Sequence, residues 1–342
     1  MRTVQSKARG SLDHLEMIER AVPIPDDHEV IIKMQAASLN WKDILMIMGG
    51  FGVGDDIKLP FVPLSDGAGE VVQVGKKVSR VQPGDKVNPL FFQDWLAGQL
   101  TAEVATSSLA GGQYEGILSE YVCLNENGVA KYPQHLTAVQ AATLPCAGVT
   151  AWSALSQAGI KAGDVVLLQG TGGVSTQALK FAKAFGAEVI MTSSSNAKLE
   201  RVKTMGADHL INYRDKPDWA SEVTTLTEGR GADIVLDVGG AETLQQSIHA
   251  VKVGGVIAVV GVLSGTIKDL VIPELMFKAI RLQGISVGSR EHYQDMVRAM
   301  EFHRILPEVD KVFPMEQTST ALSYLQLANH VGKVVIEIEQ RQ

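Results

Sequence analysis

The order of hydrophobic and polar residues divides the chain into two regions. Up to about Asn125, short apolar stretches separated by Gly, Pro and Asp predict strands joined by tight turns. From about Leu136 to Val287, strand-like apolar runs alternate with helical patterns, and the C-terminal residues return to a mixed pattern. The chain is therefore predicted to be an α/β protein with a β-rich unit and a second unit of alternating strands and helices.

The predicted strands of the first region are short and bounded by glycines. They are Glu29–Ala36, Glu70–Val74, Lys86–Val87 and Leu118–Leu124. An irregular, aromatic-containing stretch follows between Asn88 and Gly116. Loops of this length in a compact domain are more often functional than idle, although a purely structural flap remains an alternative.

The second region contains six predicted strands. They are Asp164–Leu168, Glu188–Thr192, His209–Asn212, Asp233–Asp237, Gly255–Val260 and Leu282–Val287. Continuous apolar runs such as Val165–Leu168 and Val256–Val260 suit strands that are buried on both faces. Helical patterns lie between the strands. We therefore predict a doubly wound, Rossmann-type domain with a parallel six-stranded sheet.

Composition and charge restrict the partners. A chain of 342 residues favours two domains, and a formal net charge of -7 disfavours nucleic acid or an anionic membrane as partner. The two cysteines cannot build a disulfide framework or a four-cysteine zinc site. The N-terminus has no apolar signal segment and no apolar run is long enough for a membrane span, so we predict a cytoplasmic protein with a small-molecule substrate.

The most informative motif is the glycine-rich turn Gly170–Ser175, which follows the predicted strand Asp164–Leu168. Gly170 permits a tight turn, and Gly172 and Gly173 let the backbone approach a pyrophosphate at a helix N-terminus. Ser175 stands where the third glycine of the usual fingerprint would be. Within a strand–turn–helix unit, the motif predicts dinucleotide binding.

The end of the next strand, Glu188–Thr192, bears on the choice of cofactor. In NAD-specific domains the corresponding strand usually ends in a carboxylate that binds the ribose 2′-hydroxyl. Here Ser193 and Ser194 follow instead, with Lys198 close behind. Hydroxyls and a cation favour the 2′-phosphate of NADP(H), although the same residues also suit capping of the next helix.

Together these motifs resemble the medium-chain dehydrogenase/reductase superfamily, in its zinc-independent, quinone-oxidoreductase-like branch. The resemblance is carried by the segments Gly67–Val72, Gly84–Val87, Leu144–Trp152, Gly170–Ser175, Met205–Asp208 and Gly332–Val335. It implies a GroES-like catalytic domain over 1–126 and 291–342, with a Rossmann domain inserted over 127–290 and a substrate cleft between them. It also implies a homodimer, since the strand at Leu282–Val287 pairs or packs across a two-fold axis in relatives.

The resemblance also implies site residues. Asn40 would act as the catalytic residue beside the nicotinamide, with Thr150 near the same ring. Gly170, Gly172, Gly173 and Val174 would hold the pyrophosphate with help from Lys333, and Ser193, Ser194, Lys198 and Tyr213 would surround the 2′-phosphate. Tyr213 could equally be a half-buried aromatic at a strand end. The nicotinamide and its ribose would pack along Gly261, Val262, Leu263, Val287 and Gly288.

The positions that bind catalytic zinc in metal-dependent relatives carry other residues here. They read Asn40, Ser65–Asp66 and Cys146. Catalytic zinc needs three good protein ligands, so we predict no metal. Without a Lewis acid, an already polarised acceptor is an easier substrate than an unactivated alcohol.

The predicted activity is therefore NADPH-dependent reduction of a quinone or an α,β-unsaturated carbonyl, with Asn40 donating a hydrogen bond to the acceptor carbonyl. An aldehyde is the remaining acceptor class. Phe92 and Trp95 could line the acceptor pocket or pack in the core, while Lys42 and Asp66 are weaker proton-relay candidates. The alternatives are a zinc-type alcohol dehydrogenase and a non-catalytic, crystallin-like NADPH-binding protein.

Overall fold

The computed structural model describes residues 1–49, 57–111, 113–261, 263–265 and 270–339. Contacts between Cα atoms divide the chain into two compact units. One comprises Met1–Val149 with Gly288–Gln342, which we call the catalytic unit, and the other is Thr150–Val287, which we call the nucleotide unit.

The strands in chain order are β1 (Arg2–Ser6), β2 (Leu15–Glu19), β3 (Glu29–Ser38), β4 (Asp66–Val74), β5 (Lys86–Pro89), β6 (Tyr121–Asn125), β7 (Val129–Lys131), β8 (Val165–Gln169), β9 (Glu188–Ser193), β10 (His209–Asn212), β11 (Ala232–Asp237), β12 (Val251–Val259), β13 (Arg281–Gly284), β14 (Val309–Pro314) and β15 (Lys333–Glu337).

The α-helices are α1 (Trp41–Met48), α2 (Ala102–Ala105), α3 (Ala138–Ala141), α4 (Val149–Ala158), α5 (Gly173–Ala184), α6 (Asn196–Thr204), α7 (Trp219–Leu226), α8 (Leu244–Ala250), α9 (Ile272–Phe277), α10 (Arg290–His303) and α11 (Thr318–Gln326). A π-helical turn, Leu144–Gly148, leads directly into α4.

The catalytic unit is built on a mixed sheet with strand order β14-β15-β3-β4-β5-β7. Strand β15 pairs with residues 36–38 of β3, and β6 pairs with residues 29–33 of the same strand. Its apolar side chains, such as Ile32, Leu64 and Ile336, form one core in which each is almost wholly buried. The strand β15 returns from the C-terminus and pairs antiparallel with β3, with Val335 opposite Ser38. This pairing places Lys333 beside the segment that follows β3, because Leu39 N donates to Val334 O at 3.0 Å.

The nucleotide unit contains the parallel six-stranded sheet that the sequence predicts. Its strand order is β10-β9-β8-β11-β12-β13, and every pairing is parallel. All residues of β8 and β11 are buried, in keeping with their continuous apolar sequence. The strand order reverses between β8 and β11, and ligands of open α/β sheets bind at the carboxyl ends of the strands at such a reversal.

The observed boundaries differ from the predicted ones in several places. Residues 127–149 belong to the catalytic unit rather than the nucleotide unit, because β7 pairs with β5 and α3 packs against β3 and β4. Helix α3 ends at Ala141 and does not continue into the π-helical turn Leu144–Gly148, since Pro145 lacks the backbone N–H that a continuous helix would use.

The strand predicted over Leu282–Val287 ends at Gly284. Val287 has φ 52, in the left-handed region that a strand residue does not adopt. Helix α1 was not predicted from the sequence pattern. No helix among the described residues combines the length and apolar character needed to cross a bilayer.

Candidate active site

Asn40 lies at the start of helix α1 and is held by contacts on several sides. It is the N-cap of α1, and its backbone N–H donates to Asp43 Oδ2 at 2.7 Å. Its side-chain oxygen accepts a hydrogen bond from Lys333 Nζ at 2.6 Å. The amide nitrogen, Asn40 Nδ2, is buried and makes no hydrogen bond among the described residues. A buried donor without an acceptor is costly, so this nitrogen is a candidate ligand contact.

Lys333 itself is 4% exposed, and its ammonium also donates to Leu39 O. Sequence reasoning assigned this lysine to the cofactor pyrophosphate. In the structure its ammonium donates to Leu39 O and to the Asn40 side-chain oxygen, both within the catalytic unit, and the pyrophosphate contact stays a prediction. Its charge therefore acts on the Asn40 amide.

Asp66 begins β4 and is fully buried. Its carboxyl oxygens accept hydrogen bonds from Ser65 Oγ at 2.9 Å and from Cys146 N at 3.1 Å. Burial raises the pKa of this carboxyl, while the charge of Lys333 and the neighbouring Asn40 amide lower it in part. Leu64, two residues before Asp66, has φ 69, in the left-handed region, and strain of this kind concentrates at functional sites.

Cys146 occupies the π-helical turn that follows α3. Burial raises the pKa of its thiol to about 12, and the negative charge of Asp66 acts in the same direction. A thiol with this pKa is protonated at neutral pH. Cys146 therefore serves the site through its backbone N–H and not as a nucleophile.

Aromatic side chains form a chain of contacts within the catalytic unit. Phe91 and Phe92 have ring centroids 4.7 Å apart, and Phe92 and Trp95 have centroids 5.6 Å apart. Phe92 and Trp95 are both buried. Lys42 lies 4.9 Å from the centroid of the Phe91 ring and pairs with Asp43 at 3.3 Å. Lys42 Nζ is itself buried and makes no hydrogen bond among the described residues, so its role as a proton-relay candidate stays a prediction.

A catalytic zinc ion does not fit these residues. The side-chain oxygen of Asn40 already accepts from an ammonium, and the Asp66 oxygens accept from Ser65 and Cys146. Lys333 brings a positive charge where a dication would need negative or neutral ligands. Among the described residues, no group of three or more His, Cys, Asp or Glu side chains could hold a metal ion.

The glycine-rich turn lies at the carboxyl end of β8 and opens helix α5, as the sequence predicts for a phosphate-binding turn. Gly170 has φ 70, and a Cβ atom added to Gly170 or Gly172 would have no heavy atom within 4 Å. Gly172 is the N-cap of α5, and no side chain caps this N-terminus. The amides of Gly173 and Val174 thus begin a helix at an open surface, the geometry that binds a pyrophosphate.

The residues predicted to contact the adenosine ribose come together at the same edge of the sheet. Ser193 ends β9 opposite Asn212 at the end of β10, and Tyr213 N donates to Ser193 O at 3.0 Å. The Tyr213 ring is 41% exposed. Ser195 begins α6 and its hydroxyl accepts from Lys198 N, which places Lys198 in the first turn after Ser194. No carboxylate ends β9.

Glycines and strained residues mark other predicted cofactor positions. Gly261 packs so closely on Val238 that an added Cβ would lie 2.0 Å from the Val238 carbonyl oxygen, so the fold itself requires this glycine. Val287 combines a β-branched side chain with φ 52, an uncommon and strained conformation.

The remaining predicted positions differ in exposure. Thr150 is buried in the first turn of α4, Leu263 is 51% exposed, and an added Cβ at Gly288 would lie 2.7 Å from Val149 Cγ1. Val262 lies outside the described residues.

Sequence reasoning missed a buried polar network at the reversal of strand order. Asp237, at the end of β11, is wholly buried and accepts hydrogen bonds from Gln169, Ser247 and Thr243. Gln169 Oε1 in turn accepts from Val238 N at 3.3 Å. The network ties the ends of β8 and β11 together. A polar Gln169 ending an apolar strand was the available signal.

The comparisons with known proteins agree with both units. Residues 26–134 match the alcohol dehydrogenase GroES-like domain family, and residues 173–301 match the zinc-binding dehydrogenase family. A zinc-type alcohol dehydrogenase-like protein of Schizosaccharomyces pombe is 41% identical over 338 residues, covering 96% of this chain and 97% of that protein. The 2-methylene-furan-3-one reductase of Solanum lycopersicum is 32% identical, covering 96% of this chain and 76% of the reductase.

Solved structures give the same result. An NAD-dependent alcohol dehydrogenase superposes with a TM-score of 0.89 at 34% identity, covering 99% of this chain and 100% of its own. The quinone oxidoreductase of Coxiella burnetii has a TM-score of 0.81 at 29% identity, covering 99% of both chains. A mycobacterial protein complexed with NADPH has a TM-score of 0.82 at 26% identity, covering 98% of this chain and 100% of its own.

The two family models together span residues 26–134 and 173–301, ranges that contain Asn40, Asp66 and the second half of the glycine-rich turn. The chain belongs to the medium-chain dehydrogenase/reductase superfamily, as its motifs predict, and it is an NAD(P)H-dependent oxidoreductase.

Proposed function

We propose that the protein uses NADPH to reduce a quinone or an α,β-unsaturated carbonyl, without a metal ion. The observation that carries the proposal is the Asn40 amide. Its oxygen is bonded to Lys333 and its nitrogen is a buried donor with no hydrogen bond among the described residues. A carbonyl or quinone oxygen, which accepts and does not donate, suits such a group.

The choice of NADPH rests on the edge formed by β9 and β10. When bound, the nicotinamide supplies a hydride. The chain offers Ser193, Ser194, Lys198 and Tyr213 to the ribose, with no competing carboxylate at the strand end. A 2′-phosphate can accept hydrogen bonds from hydroxyls and from an ammonium, and such charge-assisted bonds are strong. The NADPH complex of a relative supports this choice, whereas the NAD-dependent relative represents the alternative.

The proposed reaction needs little acid–base catalysis from the side chains of the protein. Hydride transfer to one carbonyl oxygen of a quinone, or to the β-carbon of an enone, leaves negative charge delocalised onto the remaining carbonyl oxygen, which Asn40 Nδ2 can bind. One proton then completes the reduction and can come from solvent. Holding the acceptor in place is worth up to about 7–11 kcal/mol, which suits a stabilised anionic product better than a developing alkoxide. The names of the tomato enone reductase and the bacterial quinone oxidoreductase support this substrate class.

A substrate panel tests the proposal. Purified protein is supplied with NADPH and a series of quinones, enones, aldehydes and simple ketones, and with NADP⁺ and primary alcohols, and absorbance of the reduced cofactor is followed. Quinones or enones should give the highest kcat/KM. If ethanol or benzyl alcohol were a better substrate than every quinone and enone, the proposal would be wrong.

The variant Asn40→Ala tests the role of the amide. It should lower kcat by roughly 100- to 1,000-fold, as expected for loss of one donor to a developing anion, while NADPH binding by fluorescence changes little. Ser65→Ala, which removes a hydroxyl bonded to Asp66, provides a control for general disturbance of the site. Equal losses in both variants would contradict a specific role for Asn40.

A zinc-type alcohol dehydrogenase is the second candidate, favoured by the names of the matched family and of the S. pombe relative. Elemental analysis separates it from the main proposal. Stoichiometric zinc together with chelator-sensitive alcohol oxidation would support the second candidate instead.

A further inference from the structure

We propose that Lys333 is a positioning residue that fixes which end of the Asn40 amide faces the acceptor. The inference rests on the proposed function, because it concerns the group that binds the acceptor oxygen. It assigns Lys333 a role in the catalytic unit in place of the pyrophosphate contact expected from the sequence.

The orientation follows from hydrogen-bond chemistry. An ammonium has donors only, whereas an amide has an acceptor oxygen on one side and two N–H donors on the other. Lys333 Nζ lies 2.6 Å from the Asn40 oxygen, so the opposite orientation would place N–H donors against an ammonium. The nitrogen must therefore face away from Lys333.

Asp66 favours the same orientation from the other side. The Asn40 amide lies near enough to this carboxyl to lower its pKa, although the hydrogen-bond geometry is not met. A carboxylate attracts the N–H end of an amide and repels the oxygen end. Because the nitrogen carries two N–H groups, attraction to Asp66 leaves one donor for an acceptor oxygen.

The arrangement is not required to begin helix α1. An N-cap asparagine normally spends its side-chain oxygen on an amide of the first turn. Here Asp43 accepts from the Asn40 backbone N–H, and the Asn40 backbone oxygen accepts from Asp43 N at 3.0 Å. The side-chain oxygen faces the Asp43 N–H in a capping box but makes no regular cap hydrogen bond, so its short bond to Lys333 is the contact that orients the side chain.

A buried ammonium is also expensive unless it is compensated. Lys333 is 4% exposed, so it must be balanced by the Leu39 carbonyl, the Asn40 oxygen and the charge of Asp66. A charged donor polarises the amide that it binds, which strengthens hydrogen bonding by the nitrogen. Lys333 therefore strengthens the hydrogen bond that Asn40 Nδ2 can donate and also fixes its direction.

A double-mutant cycle tests this role. Lys333→Met, Asn40→Ala and the double variant are compared for kcat, for KM of the acceptor and for NADPH affinity, with a quinone or enone that the unmodified protein reduces. Lys333→Met should lower kcat about tenfold with little effect on NADPH affinity. In the Asn40→Ala background the same change should leave kcat within about twofold, because residues that act as a unit are not additive.

Two further variants complete the test. Asn40→Asp keeps acceptor oxygens for Lys333 but removes the N–H donor and places a further carboxylate near Asp66, so it should lose at least as much kcat as Asn40→Ala. It also keeps the proposal testable if Lys333→Met fails to fold. Lys311→Met, at an exposed position on the neighbouring strand β14, is the matched control and should leave kcat unchanged.

Two results would overturn the inference: additive losses in kcat across the cycle, or a loss of NADPH affinity in Lys333→Met that matches the loss in kcat. The second result would indicate that Lys333 binds the cofactor pyrophosphate. Failure of the proposed function appears elsewhere, in the substrate panel of the unmodified protein, and the cycle can then be repeated with whichever substrate that protein turns over.

Discussion

Replacing Gly172 by alanine separates cofactor binding from folding. Gly172 is the N-cap of α5 with φ -77 and ψ -174, a conformation that alanine adopts without strain. A Cβ atom at this position would meet no heavy atom within 4 Å. We therefore expect the free energy of unfolding to change by less than about 1 kcal/mol, because alanine restricts the unfolded chain by about 0.4–1 kcal/mol but is a poorer N-cap than glycine by a similar amount.

The same methyl group should weaken cofactor binding. It projects into the open space that a pyrophosphate would occupy, so the phosphate oxygens could no longer approach the backbone N–H groups at the start of α5. A hydrogen bond to a charged group is worth about 1.5–3 kcal/mol. Loss of one such bond raises the dissociation constant of NADPH roughly 10- to 150-fold, with NADH affected similarly.

The assay pairs NADPH titration by fluorescence with thermal unfolding without cofactor. Gly284→Ala is the matched control, since an added Cβ there also meets nothing within 4 Å but lies on the edge strand β13. Gly261→Ala should instead destabilise the fold, because its Cβ would lie 2.0 Å from the Val238 oxygen. Unchanged NADPH affinity in a stable Gly172→Ala variant would refute a pyrophosphate site at this turn.

Three further predictions follow from the same structure. Lys198→Ala should reduce the preference for NADPH over NADH by roughly 5- to 150-fold, for loss of about 1–3 kcal/mol. Lys203→Ala on the same helix is the control and should leave the preference unchanged. Equal dissociation constants for the two cofactors in the unmodified protein would contradict the prediction. Prolonged chelation should leave activity intact, and elemental analysis should find well under one zinc per chain. Light scattering should give the mass of a homodimer at micromolar concentration, since β13 is an edge strand and Met276 and Phe277, shortly before it in the chain, are 69% and 82% exposed. Phe277→Arg should shift the mass toward that of one chain, and a monomeric parent would count against the dimer.

Much of the nucleotide unit could be read from local sequence. Continuous apolar runs such as Val165–Leu168 suit strands covered on both faces, and their alternation with helical patterns predicted a parallel sheet without any contact information. The turn at Gly170 was equally readable, because glycine is the residue that a tight turn before a phosphate-binding helix requires. Helix α1 was missed because its signal is an asparagine N-cap followed by only 8 residues.

The sequence by itself therefore determined the α/β class, the alternating sheet, the cofactor turn and the family. Only the tertiary structure decided what the catalytic unit does with its polar residues. Asn40, Asp66 and Lys333 are separated along the chain and meet because β15 pairs with β3 and β4 lies on the other side of β3. Side-chain partners across a sheet depend on strand pairing and register, which no local pattern encodes. For that reason the contact between Lys333 and Asn40 could not be read from the sequence, where the family resemblance implied only a cofactor contact for this lysine.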